Sequence, residues 1–110
     1  MGTLTYDAST KVEFDDRALA HLRVVIGAKL RRGEPFYLSW RDDRSAGEGS
    51  STIWLHPAAS LRFTFHGSRE IVVNRQWIEE LMTMANSSGG LRLTPEPPVG
   101  AVRRIVYDAP

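Results

Sequence analysis

Three stretches of this chain alternate apolar and polar residues: Phe36-Tyr37-Leu38-Ser39-Trp40, Thr52-Ile53-Trp54-Leu55-His56 and Leu61-Arg62-Phe63-Thr64-Phe65-His66. Successive side chains of a strand point to opposite faces, so a period of two can be satisfied only by a half-buried sheet. One face then collects Phe36, Leu38, Trp40, Ile53, Leu55, Leu61, Phe63 and Phe65, and it must be covered. The other collects Tyr37, Ser39, Arg41, Thr52, Trp54, His56, Arg62, Thr64 and His66. That second face is unusually aromatic and basic for a surface that meets only water. The short connection around Pro57-Ala58-Ala59-Ser60 predicts that the second and third stretches pair as a hairpin.

What covers the apolar face is written on either side. Leu4, Tyr6, Val12 and Phe14 alternate around Asp7-Ala8-Ser9-Thr10 and predict an opening β-hairpin. Asp15 or Asp16 can cap a helix from about Arg17 to Arg32, with Arg31 and Arg32 in its last turn and Gly33 beyond it. At 100° per residue Ala18, Leu19, Leu22, Val25, Ile26 and Leu30 form one apolar arc, with Lys29 inside it, placed to carry its ammonium out to water. Asn74 caps a second helix to about Asn86, its apolar arc made by Trp77, Ile78, Leu81, Met82, Met84 and Ala85. Leu91-Arg92-Leu93 reads as a further strand, and Pro95-Glu96-Pro97-Pro98 must be extended. The order is ββαβββαβ, an α+β fold: a mostly antiparallel sheet with two helices on one face, in a single domain over residues 1–94 followed by a Pro-rich arm over 95–110. The polar segment from Asp42 to Ser51 reads as a mobile hairpin loop.

Composition bounds the chemistry. At 110 residues, with 42% hydrophobic and 25% charged, the chain has enough apolar material for one core without disulfides or metals. Cysteine is absent, which excludes thiol catalysis and Cys-ligated zinc and makes the cytoplasm the expected location. No apolar run approaches the length of about 18 residues that a membrane span requires, and the start lacks a signal-peptide core, so no membrane association is expected. The net charge of +1 gives little long-range pull on a polyanion.

The aromatic-basic face is the functional lead: Tyr37, Ser39, Arg41, Trp54, His56, Arg62 and His66. Trp, Tyr and Arg are what protein interfaces favour, which reads as contact with a protein partner or as a homo-oligomer. Aromatic platforms beside cations also hold single-stranded nucleic acid, so a nucleic-acid-associated module is the alternative. No catalytic residue, cofactor or metal is indicated. Were the second and third stretches paired, His56 and His66 would stand roughly 13 Å apart, too far to share an ion. Gly47-Glu48-Gly49 lacks the third glycine and the following helix of a dinucleotide fingerprint, and Asp42-Asp43 has no companion ligands.

Beyond these readings, the chain resembles a family of small, uncharacterised bacterial domains of about this length. The likeness is carried by Met1-Gly2-Thr3-Leu4-Thr5-Tyr6, by Phe14-Asp15-Asp16-Arg17, by Val25-Ile26-Gly27-Ala28-Lys29-Leu30-Arg31-Arg32-Gly33-Glu34 and by Thr52-Ile53-Trp54-Leu55-His56-Pro57. Members are often labelled ATP-dependent DNA ligase, which would imply nucleotidyl transfer from a lysine opening a K-x-D-G motif. Lys29-Leu30-Arg31-Arg32 and Lys11-Val12-Glu13-Phe14 both lack the Asp and the Gly. The residues therefore predict a non-catalytic binding domain.

Overall fold

The computed structural model describes residues 1–41 and 49–98. The expected loop from Asp42 to Ser51 and the arm beyond Pro98 lie largely or wholly outside the described residues. The elements follow the predicted order: β1 (Gly2–Tyr6), β2 (Thr10–Phe14), α1 (Asp16–Arg31), β3 (Phe36–Arg41), β4 (Ser50–Leu55), β5 (Leu61–Phe65), α2 (Arg75–Ala85) and β6 (Leu91–Arg92). The strands divide between two three-stranded sheets, β2-β1-β5 and β4-β3-β6.

The division corrects the expected hairpin between β4 and β5. β5 runs antiparallel to β1, with Leu4 opposite Phe63 and Thr5 opposite Arg62. The physical cause lies at the connection: Pro57 has no N–H to give a ladder, and Ser60 is instead tied to the first hairpin. The Asp7 N–H donates to the Ser60 carbonyl at 2.8 Å, and the Ser60 N–H donates to Asp7 Oδ1 at 3.0 Å. In the other sheet β3 pairs antiparallel with β4, Tyr37 facing Trp54 and Ser39 facing Thr52. β6 joins the far side of β3 in parallel through Leu38–Leu91 and Ser39–Arg92. This approach is close enough to require glycine: Gly90 has φ +87°, and a Cβ there would stand 2.7 Å from the Tyr37 Cβ and carbonyl oxygen.

Both helices begin where the sequence places them. Asp15 caps α1 by accepting from the Ala18 N–H at 2.7 Å, and Gly33, at φ +75°, follows its end. Asp16 is left free for another task and accepts from the Gly67 N–H at 3.0 Å. Asn74 caps α2 through its Oδ1. α1 packs on the β1-β2-β5 sheet, α2 packs on β3 and β6, and the helices pack on each other. One core results, centred on Leu4, Leu19, Leu22, Leu38, Leu55, Leu81 and Leu91, all essentially without solvent contact. Trp40, Ile53, Leu61, Phe63 and Phe65 are only partly buried against it.

Two polar side chains of α1 are buried within that core. Lys29 does not reach water: it is 6% exposed, and its Nζ donates to Asn86 Oδ1 at 2.7 Å and Glu34 Oε1 at 3.1 Å. The snorkelling expectation fails because the loop after α1 and the end of α2 close over the ammonium and supply its partners. His21 is fully buried, its ring 4.5 Å from Trp77.

Candidate functional site

The outer face of the β4-β3-β6 sheet carries the sequence-derived lead. The register puts Tyr37 beside Trp54, then Ser39 beside Thr52 and Arg92, then Arg41 beside Ser50. Tyr37 and Trp54 are each 46% exposed and meet edge to face, with ring centroids 4.8 Å apart. Such a pair adds about 0.5–1.5 kcal/mol beyond burial and holds both rings in one geometry. Ser39 and Thr52 satisfy each other across the strands at 2.8 Å. The Tyr6 hydroxyl donates to the Trp54 carbonyl at 2.8 Å, linking the β2-β1-β5 sheet to this strand. Among the described residues the side chains of Arg41 and Arg92 have no hydrogen-bond or ion-pair partner.

Not all of the predicted face is brought together. Tyr37, Ser39, Arg41 and Trp54 share one surface, and half-buried His56 follows directly on β4. Arg62 belongs to the other sheet, in a row with Thr5 and Lys11, and His66 follows β5. They leave the face because β5 is the partner of β1. Arg92, on β6, stands beside Ser39 and brings a second guanidinium to this face.

A second polar constellation surrounds His21, and the sequence reading missed it. The His21 Nδ1 is 2.7 Å from the Arg17 carbonyl, and its Nε2 accepts from the Asn74 N–H at 2.7 Å. A carbonyl can only accept, so the proton sits on Nδ1, and the ring is neutral because a second ring N–H would confront the Asn74 donor. Burial accordingly pushes the His21 pKa down, the Arg17 carbonyl opposing it. Around it, Arg17 grips Glu96 in a fork, Nε to Oε1 at 2.7 Å and the terminal nitrogen to Oε2 at 2.8 Å. Asn74 Nδ2 donates to Glu96 Oε2 and to the Pro97 carbonyl, at 2.9 and 3.0 Å. The Arg17 hydrogen bonds hold the Glu96 carboxyl down to about 2, against burial that raises it. Histidine, glutamate and arginine in proximity suggest catalysis, yet hydrogen bonds within the cluster engage both ring nitrogens and both carboxylate oxygens. The cluster fastens residues 96 and 97 to the starts of both helices. Its signal in the sequence was Glu96 between Pro95 and Pro97, a carboxylate on backbone already extended.

No group of three or more His, Asp or Glu among the described residues is arranged to hold a metal ion. No helix among them is long and apolar enough to cross a membrane. Neither a curated protein nor a solved structure matches the chain. A family model described as a domain of unknown function, DUF7882, matches residues 1–96, a span that runs from the first strand through Glu96. The chain is a member of the DUF7882 family.

Proposed function

We propose that the domain is a non-catalytic binding module whose outer β4-β3-β6 face contacts protein, in the first instance a second copy of itself. The observation that supports it is the Tyr37–Trp54 pair, two large rings half out of water on a hydrogen-bonded sheet. Rigid aromatic anchors of this kind dominate interface energetics because they bury much area at small entropic cost.

In a two-fold dimer each Trp54→Ala substitution counts twice. At about 2 kcal/mol per hot-spot aromatic the loss is about 4 kcal/mol, a roughly thousandfold rise in the dimer dissociation constant. Sedimentation across a concentration series measures it, and circular dichroism checks that the fold is kept. A wild type that stays monomeric at high concentration sinks this reading.

A second reading, binding of single-stranded nucleic acid, draws on Arg41 and Arg92, which lie on the same face to one side of the rings. Edge-to-face packing spends part of one ring face on the other ring, which leaves fewer stacking platforms than successive bases need. Oligonucleotide binding that falls steeply with salt and is lost in Trp54→Ala would put this reading first.

A further inference from the structure

A groove of about 610 Å³ runs between α1 and β5, away from the aromatic face, and is closed on its far side by residues of the connection from Gly67 to Val73. On α1 it is lined by one residue or more of every turn from Asp16 to Arg31. At 1.5 Å per residue that is a length of about 22 Å. Its floor is apolar, made by Val24, Phe63, Phe65 and Ile71, all only partly buried. Gly27 opens the middle of the trough: a Cβ built there meets nothing within 4 Å. A helical glycine facing solvent costs about 1 kcal/mol relative to alanine, and neither a turn nor a positive φ explains this one.

The walls are basic. Arg23 and Arg31 stand on α1 and Arg69 on the opposite connection, all exposed and none with a partner among the described residues. The one acid among the lining residues, Asp16, lies at the end of the groove, where its Oδ2 accepts from the Gly67 N–H at 3.0 Å and its Oδ1, without a hydrogen-bond partner among the described residues, stands 3.9 Å from the Met1 amine. Eight residues separate Arg23 from Arg31, about 12 Å along the helix axis, so a single anionic headgroup does not serve both. The complement is an elongated ligand with several carboxylates along its length and aliphatic or aromatic side chains between them. The described surface of the chain itself offers no such element: the exposed side of α2 carries Gln76, Glu79, Glu80 and Thr83, with Glu79 paired to Arg75 at 3.3 Å.

The geometry points to this groove as the docking site for an acidic amphipathic peptide segment of a protein partner. The apolar residues of the segment lie on Phe63 and Phe65, its carboxylates meet Arg23, Arg31 and Arg69, and its backbone passes over Gly27.

The test is selection of a random-peptide display library, about 15 residues long to span the groove, against the whole chain. Enriched peptides should carry several Asp or Glu interleaved with Leu, Ile or Phe. Their affinity should fall at least about tenfold in Arg23→Glu/Arg31→Glu, since like charges brought together at an interface cost several kcal/mol. A similar fall is expected in Gly27→Trp, which fills the trough from an exposed position, and circular dichroism of both variants reports whether the fold is kept. Trp54→Ala should bind as the wild type does, which separates this site from the outer sheet face. The proposal is overturned if no peptide is enriched, if those enriched are neutral or basic, or if they bind Gly27→Trp and wild type alike. It is equally overturned if an oligothymidylate displaces them from the groove.

Discussion

Replacing Glu96 by Gln tests whether the clasp over the two helix starts contributes stability as an ion pair. The substitution keeps the shape and a hydrogen-bonding head but removes the charge gripped by Arg17. Glu96 moves from 4.5 to about 2 on folding, and at 1.36 kcal/mol per unit that would be about 3.4 kcal/mol if fully expressed. Arg17 is 40% and Glu96 26% exposed at the side chain, so water screens the pair and about 1–2 kcal/mol is the expected loss at pH 7. The sign follows from linkage. The folded pKa is depressed, so the contribution is complete above pH 4.5 and vanishes as pH falls toward 2. Wild type and Glu96→Gln should therefore differ at pH 7 and converge near pH 2. Urea unfolding read through tryptophan fluorescence measures this, because the buried Trp77 indole N–H donates to Thr94 close to the clasp. A difference that stays constant from pH 7 to the acid limit would refute the electrostatic account, and no difference at pH 7 would show the clasp to be energetically idle.

Burial lowers the His21 pKa below its usual 6.5, so its contribution to stability is complete above pH 6.5 and declines as pH falls toward the folded value. Nitrogen-15 NMR should find a neutral ring protonated on Nδ1 at pH 6, and a charged imidazolium there would contradict the hydrogen bonding described. Ala8 sits at φ +65° in the first hairpin turn, where a side chain costs about 1–2 kcal/mol. Ala8→Gly should stabilise the domain by about 0.5–1 kcal/mol in thermal or urea unfolding, and a loss would show the turn to be unstrained. Lys29 is buried with two oxygen partners, so incubation with labelled ATP and magnesium should leave it unmodified, and a phosphoamide adduct on it would overturn the non-catalytic reading.

Local chemistry was legible where it is decided locally. The Asp15 and Asn74 caps, the Gly33 stop and the alternation of β1 through β5 are properties of a few adjacent residues, and the elements appear where these signals put them. Pairing is not local. Alternation says that β5 has an apolar face but not whose edge it joins, and two hydrogen bonds between Asp7 and Ser60 sent it to β1. For that reason the face kept Tyr37, Trp54, Ser39 and Arg41 but lost Arg62 and His66. Arg92 is found beside Ser39 only once β6 is known to lie parallel to β3. His21 and Lys29 lay on or near the apolar arc of α1, yet their burial depended on Asn74 and Asn86, each more than fifty residues away along the chain.

The two sheets are threaded through one another in chain order. The first takes residues 2–14, the second 36–55, the first again 61–65, and the second is completed only at 91–92. No cut of the chain yields a fragment that contains one finished sheet and nothing of the other. On the ribosome β1 must wait for β5, and β3 for β6, so early strands carry open edges until nearly the whole domain has emerged. Evolution by exchange of contiguous segments is closed to such a chain. Its two layers must be inherited, synthesised and lost together.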